Sequence, residues 1–189
     1  MRFVIVLILV AFLAFSIACR PAAAPVAVSD RPVSNDRMPR LNLPMPPTKP
    51  LEKLGWLLFK GGEKKLMEDY RGKVLILDFW ATYCGPCIEG IPHLRKLKEK
   101  YGKDLEVIGL HVGGEDDRPL VPAFEERLKI DYPIATPEDE LTYSLLGTDS
   151  RIPQTLIFDR QGKLVEKFVS YDAAIGRMIE ETVEKTVNQ

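Results

Sequence analysis

Only three cysteines and two histidines occur in the 189 residues of this chain, and that scarcity excludes several classes of protein. Three thiols cannot build the disulfide-dense scaffold of a small secreted domain. A structural zinc site needs four ligands, and His93 and His111 stand at spacings from Cys84 and Cys87 that no zinc finger uses. No metal site is therefore expected. A large excess of charge of either sign is missing too. With a formal net charge of -1 there is no basic stripe to hold nucleic acid. A P-loop and a dinucleotide-type glycine fingerprint are both absent. What remains is an apolar content of 46% and a charged content of 28%, the balance of a globular chain able to bury a core.

Long hydrophobic runs are also scarce. The single one spans Phe3 to Ala18, is broken only by Ser16, and follows the lone charge of Arg2. It is shorter than the roughly 20 residues that cross a bilayer comfortably. Residues 1–18 therefore read as an export signal or membrane-targeting segment. Ser16-Ile17-Ala18-Cys19 resembles a bacterial lipobox, with Ser16 where that pattern usually has Leu. The resemblance implies cleavage before Cys19 and lipid attachment to its thiol. An uncleaved anchor and a cleaved soluble form are the alternatives. In each case the rest of the chain is expected outside the cytoplasm, on the periplasmic side. Residues 19–50 then carry eight of the fifteen prolines and no apolar period. Such a stretch is stiff, extended and coreless, and reads as a tether. The folded domain is expected over residues 51–189.

Within that domain the apolar pattern changes period several times. Trp56–Lys60, Gly61-Gly62 and Glu63–Leu66 read as a hairpin with a glycine turn. Val74–Trp80 is a nearly continuous apolar run, the mark of a strand buried on both faces. After Cys87, Ile88, Ile91, Leu94 and Leu97 recur at helical spacing as far as Gly102. Leu105–Val112 is a second buried strand. Pro119–Ile130 and Pro137–Leu146 read as helices. Gln154–Asp159 and Lys163–Val169 form an antiparallel pair across a short turn. Tyr171–Val187 is a last helix, with Ile175, Met178, Ile179, Thr182 and Val183 on its inner side. The sum is an α/β fold: a mixed central sheet with helices on both faces and an N-terminal β-hairpin extension.

Cys84 leaves a buried strand and opens a helix, and this position has chemical consequences. The free amides and dipole of a helix N-terminus favour an anion, so the Cys84 thiol should ionise readily. Two intervening residues in the first helical turn place Cys87 beside it. An outer thiolate at Cys84 attacks a foreign disulfide, and an inner thiol at Cys87 resolves the mixed disulfide that results. Asp78 interrupts the apolar run just before this turn. A carboxylate there is desolvated, which raises its pKa and lets it take the Cys87 proton. Peroxide chemistry on a related fold puts a Thr three positions before its cysteine, whereas Ala81 stands there and Thr82 is out of register. The Glu115-Asp116-Asp117 run reads as a solvated loop, and Glu89 as a solvated helix carboxylate.

Asp78-Phe79-Trp80-Ala81-Thr82-Tyr83-Cys84-Gly85-Pro86-Cys87 resembles the thioredoxin active-site segment. With the export signal and tether, the chain is similar to the extracytoplasmic TlpA/ResA-like thiol–disulfide oxidoreductases. That resemblance covers residue 51 to the C-terminus and implies a thioredoxin fold. It implies that Pro153, in Arg151-Ile152-Pro153-Gln154-Thr155, is cis and packs on the cysteine pair. It also implies that Ile152 presents its backbone to an extended substrate. Tyr83, Gly85 and Pro86 complete the expected substrate-binding rim, with Tyr83 replacing the more usual Trp, while Trp80 is expected to pack under the turn with some contact to the same rim. Gly85-Pro86 is the dipeptide of reducing members of the fold. In thioredoxin the aspartate matching Asp78 is the proton acceptor, whereas many TlpA/ResA-like members carry Asn or another residue there.

The expectation is an enzyme that reduces protein disulfides, apocytochrome c among them, and is itself re-reduced by a membrane electron donor. It acts as a monomer, binds no nucleic acid and needs no cofactor, because the dithiol carries both electrons. A disulfide oxidant or isomerase shares every motif. A non-catalytic binding module of thioredoxin fold is the third reading.

Overall fold

The computed structural model describes residues 48–189. The targeting segment, Cys19 and most of the tether lie outside the described residues. The chain order is β1 (Gly55–Leu58), β2 (Lys64–Leu66), β3 (Val74–Trp80), α1 (Gly85–Tyr101), β4 (Leu105–His111), α2 (Val121–Leu128), β5 (Ile134–Pro137), α3 (Asp139–Leu146), β6 (Gln154–Phe158), β7 (Leu164–Val169) and α4 (Ala173–Val187). Short 3-10 turns precede β1, β3, β4 and α2. The seven strands form one sheet in the order β2-β1-β5-β4-β3-β6-β7. β3, β4 and β5 run parallel, and the other neighbouring pairs are antiparallel.

β3 is central and every one of its residues is buried. Alternation along it sorts its side chains between two cores. Val74, Ile76 and Trp80 pack with Ile91, Leu94 and Leu97 of α1, Phe124 of α2, and Ile179 and Val183 of α4. Leu75, Leu77 and Phe79 point the other way, towards Trp56, Leu141 and Leu146. Three helices therefore cover one face, while α3 and the ends of the hairpin cover the other. Asp78 shares the parity of Ile76 and Trp80, so it faces α1 and the cysteine turn.

Two sequence expectations are corrected, the helix start at Pro137 and the inner position of Met178. Ile134–Pro137 is a strand, so the segment expected to be helical from Pro137 becomes helical only at Asp139. That strand pairs with both β1 and β4, and it makes the N-terminal hairpin an integral edge of the sheet. Four residues ending in a proline carry too little period to declare themselves. Met178 is 53% exposed and lies on the outer side of α4. The buried stripe of α4 is Gly176, Ile179, Val183 and Thr186.

Candidate active site

β3 delivers Ala81, Thr82 and Tyr83 to the start of α1. Cys84 is the N-cap of that helix, with extended backbone at φ -88° and ψ 103°. Gly85 and Pro86 form its first positions, and proline has no N–H to offer. The Cys87 amide is the one that donates to the Cys84 sulfur, at 3.2 Å. The Cys84 amide in turn donates to the Ala81 carbonyl at 3.2 Å, closing the turn. Cys84 and Cys87 are joined by a disulfide, with Cα atoms 5.3 Å apart. Cys84 is only 6% exposed and Cys87 2%, so the outer sulfur is less open than its place at a loop edge suggests. The accessible rim is built by its neighbours: Tyr83 is 70% exposed, and Gly85 and Pro86 are exposed as well. Trp80 does not join that rim. It is buried and stacks on Phe124 with ring centroids 4.9 Å apart, so it supports the turn from beneath.

The Ile152–Pro153 peptide is cis. Pro153 is buried and Ile152 half-buried. The Pro153 carbonyl accepts from the Ser170 amide at 2.8 Å. Gln154, fully buried, anchors the same loop by donating to the carbonyls of Asp149 and Arg151 at 2.9 and 2.8 Å. Among the described residues no backbone partner satisfies Ile152, so its peptide groups stay free beside the cysteine turn.

Behind the disulfide lies a small cavity lined by Asp78, Cys87, Gly90, Pro153, Thr155 and Tyr171 among others. Its volume of about 10 Å³ is on the scale of one water centre. Asp78 is 3% exposed, and Thr155 Oγ1 donates to its Oδ1 at 2.8 Å. Burial raises the Asp78 carboxyl to about 6, and the Thr155 hydrogen bond offsets part of that rise.

A second buried carboxylate was invisible in the sequence. Asp117 is 5% exposed, not the solvated loop residue that its Glu115-Asp116 neighbours suggest. Its Oδ2 accepts from the Thr82 amide at 2.9 Å and lies 2.8 Å from His111 Nε2, while the Thr82 hydroxyl bonds its Oδ1. Burial pushes the Asp117 carboxyl up, but these hydrogen bonds outweigh it and hold the group below the usual carboxylate range. The close approach requires Gly113, where a Cβ would overlap Asp117 Oδ2. The loop after β4 is thereby latched to the segment just before Cys84. Glu89 is exposed. Among the described residues no three His, Cys, Asp or Glu side chains cluster to hold a metal.

A disulfide-linked cysteine pair at the N-terminus of a helix, its inner member sharing one cavity with a buried acid and a cis-proline on a mixed sheet, defines a thiol–disulfide oxidoreductase of thioredoxin fold. The chain belongs to the Redoxin family, whose sequence profile matches residues 34–184. It is 28% identical over 130 residues to the thioredoxin-like protein YneN of Bacillus subtilis, an alignment covering 67% of this chain and 71% of that one. It is 30% identical over 125 residues to the thiol-disulfide oxidoreductase ResA of Geobacillus thermodenitrificans, covering 66% of this chain and 67% of the relative. In fold it matches a thiol:disulfide interchange protein of the thioredoxin family from Chlorobium tepidum. That match has a TM-score of 0.61 at 20% identity and covers 71% of this chain and 94% of the other.

Proposed function

We propose that this oxidoreductase works as a reductant of protein disulfides outside the cytoplasm, tethered to a membrane through its N-terminus. The observation that carries the chemistry is the placement of a buried acid and the inner cysteine on one small cavity. In the reduced protein the thiolate of Cys84 attacks a client disulfide, and the client's first sulfur leaves with the electron pair. Cys87 then attacks Cys84 Sγ and releases the client's second sulfur as a thiolate. Its own proton passes to Asp78, whose raised pKa of about 6 suits it to take and return a proton near neutrality.

The exposed Tyr83, Gly85 and Pro86 form the contact rim. The free peptide groups of Ile152 receive an extended client segment as one more strand. Pro86 adds neither an amide nor a positive side chain near Cys84, which favours a reductant over a strong oxidant. Lipid on Cys19 holds the chain on the membrane, residues 19–50 act as the spacer, and a membrane electron donor re-reduces the pair. Among the described residues no helix is long and apolar enough to cross a membrane. Apocytochrome c with an oxidised haem-binding cysteine pair is a client of the right chemistry.

Cys87→Ser tests the assignment of roles. Expressed in its own compartment, this variant should accumulate mixed disulfides through Cys84, and their identification names the clients. Trapping at the same level by the double variant Cys84→Ser/Cys87→Ser would remove Cys84 as the attacking group.

A further inference from the structure

Tyr171 differs from every other residue lining the Asp78 cavity. The others are buried, whereas Tyr171 is only half-buried and reaches solvent. Two glycines seat the tyrosine ring. A Cβ on Gly90 of α1 would stand 3.1 Å from Tyr171 Cδ2, and one on Gly176 of α4 would stand 2.9 Å from its hydroxyl. That same point beside Gly176 lies 3.2 Å from His93 Nδ1, so the phenol oxygen and the imidazole nitrogen both border Gly176 without a hydrogen bond between them. The two rings have centroids 6.2 Å apart. His93 Nδ1 is buried and has no hydrogen-bond partner within the described residues. Its other nitrogen lies 4.0 Å from Glu180 on the outer surface. Buried polar atoms without a partner are rare and ask for an explanation.

We propose that Tyr171 is the proton portal of the active-site cavity, passing the proton that Cys87 gives to Asp78 on to His93 and the solvent beside it. This rests on the reading of Asp78 as the proton acceptor. In the resolving step the Cys87 S–H bond breaks as the Cys84–Cys87 bond forms, and the client sulfur leaves with its electron pair. The proton lands on Asp78. The carboxylic acid then gives it up through the cavity to the Tyr171 oxygen, which releases its own phenolic proton to His93 Nδ1, and the imidazolium loses one proton to water. Burial holds His93 below the usual histidine range against the pull of Glu180, which favours the neutral ring that can take up a proton. Tyr171 and His93 are positioning residues in this scheme, since neither touches the reacting sulfurs.

The test is the rate at which a preformed mixed disulfide on Cys84 resolves. It is read by stopped flow in H2O and in D2O for wild type, Tyr171→Phe, His93→Gln, Asp78→Asn and Asp78→Asn/Tyr171→Phe. Phenylalanine keeps the ring against Gly90, and a urea midpoint equal to wild type confirms that the fold is kept. Tyr171→Phe should resolve about tenfold more slowly, with a larger solvent isotope effect. In the Asp78→Asn background it should cost nothing further. Wild-type speed in Tyr171→Phe, or a slowing of full size in the Asp78→Asn background, overturns the portal; the second result assigns Tyr171 to client contact instead. An unchanged rate in His93→Gln overturns the His93 half. Wild-type speed in Asp78→Asn alone overturns the acceptor reading beneath it, a different result from failure of the portal.

Discussion

Asp78 stands in the most apolar strand of the molecule with one hydrogen bond, from Thr155, to compensate its burial. An acid whose pKa in the folded state lies above its unfolded value is bound to its proton more tightly when folded. Its effect on stability is absent below the unfolded value of about 4, grows into a penalty as pH rises from there, and is complete above the folded value of about 6. Asp78→Asn should therefore leave stability unchanged near pH 4 and raise it by about 1–3 kcal/mol at pH 8. Urea unfolding of the oxidised protein at the two values checks this. Equal gains at both would mean that the carboxyl titrates as it does in water. The same variant should resolve mixed disulfides more slowly, so a functional group here costs stability at working pH. This residue was legible because it breaks the run Val74-Leu75-Ile76-Leu77, and period-two alternation alone puts it on the Trp80 side. Asp117 was not legible. Nothing local separates it from Glu115 and Asp116, and its partners Thr82 and His111 reach it only through the fold.

At the scale of elements, the latch between the loop after β4 and the segment before α1 fixes where the cysteine turn sits. Asp117→Ala leaves the Thr82 amide and the His111 ring without their shared acceptor. A buried donor left unpaired costs about 1–3 kcal/mol, so the urea midpoint should fall by that equivalent. Loss of less than a few tenths would show that Thr82 and His111 find other partners. Strands and helices with a full period were readable. β3, α1, β4 and the β6–β7 pair lie within a residue or two of their expected bounds. β5 was missed because its four residues are held by two neighbouring strands, a tertiary cause that its own sequence does not carry. Met178 was misplaced because the inner stripe of α4 runs through Gly176 and Thr186, which an apolar count passes over.

For the whole molecule, two cores on either side of one sheet hold the cysteine helix against β3, the cis-proline loop and the latch. Each of these arrives from a different part of the chain. No single segment could have announced the cavity they enclose, although Cys87, Asp78 and Pro153, which border it, were all nameable in advance. If this assembly serves a reductant, the Cys84–Cys87 couple should have a potential near the thioredoxin value of about -270 mV. Equilibration with glutathione measures it. A value near -120 mV, typical of a strong oxidant, would reverse the proposed direction of electron flow.

All of this chemistry requires Cys84 to be the ionised, reachable member of the pair once the disulfide is reduced. The most direct measurement is the rate of alkylation of the fully reduced protein as a function of pH, with the modified residue located by mass spectrometry. Modification should fall on Cys84 and its rate should inflect near pH 7, well below the free-cysteine value of about 8.5. An inflection at or above 8.5, or first modification at Cys87, would rule out Cys84 as the attacking thiolate.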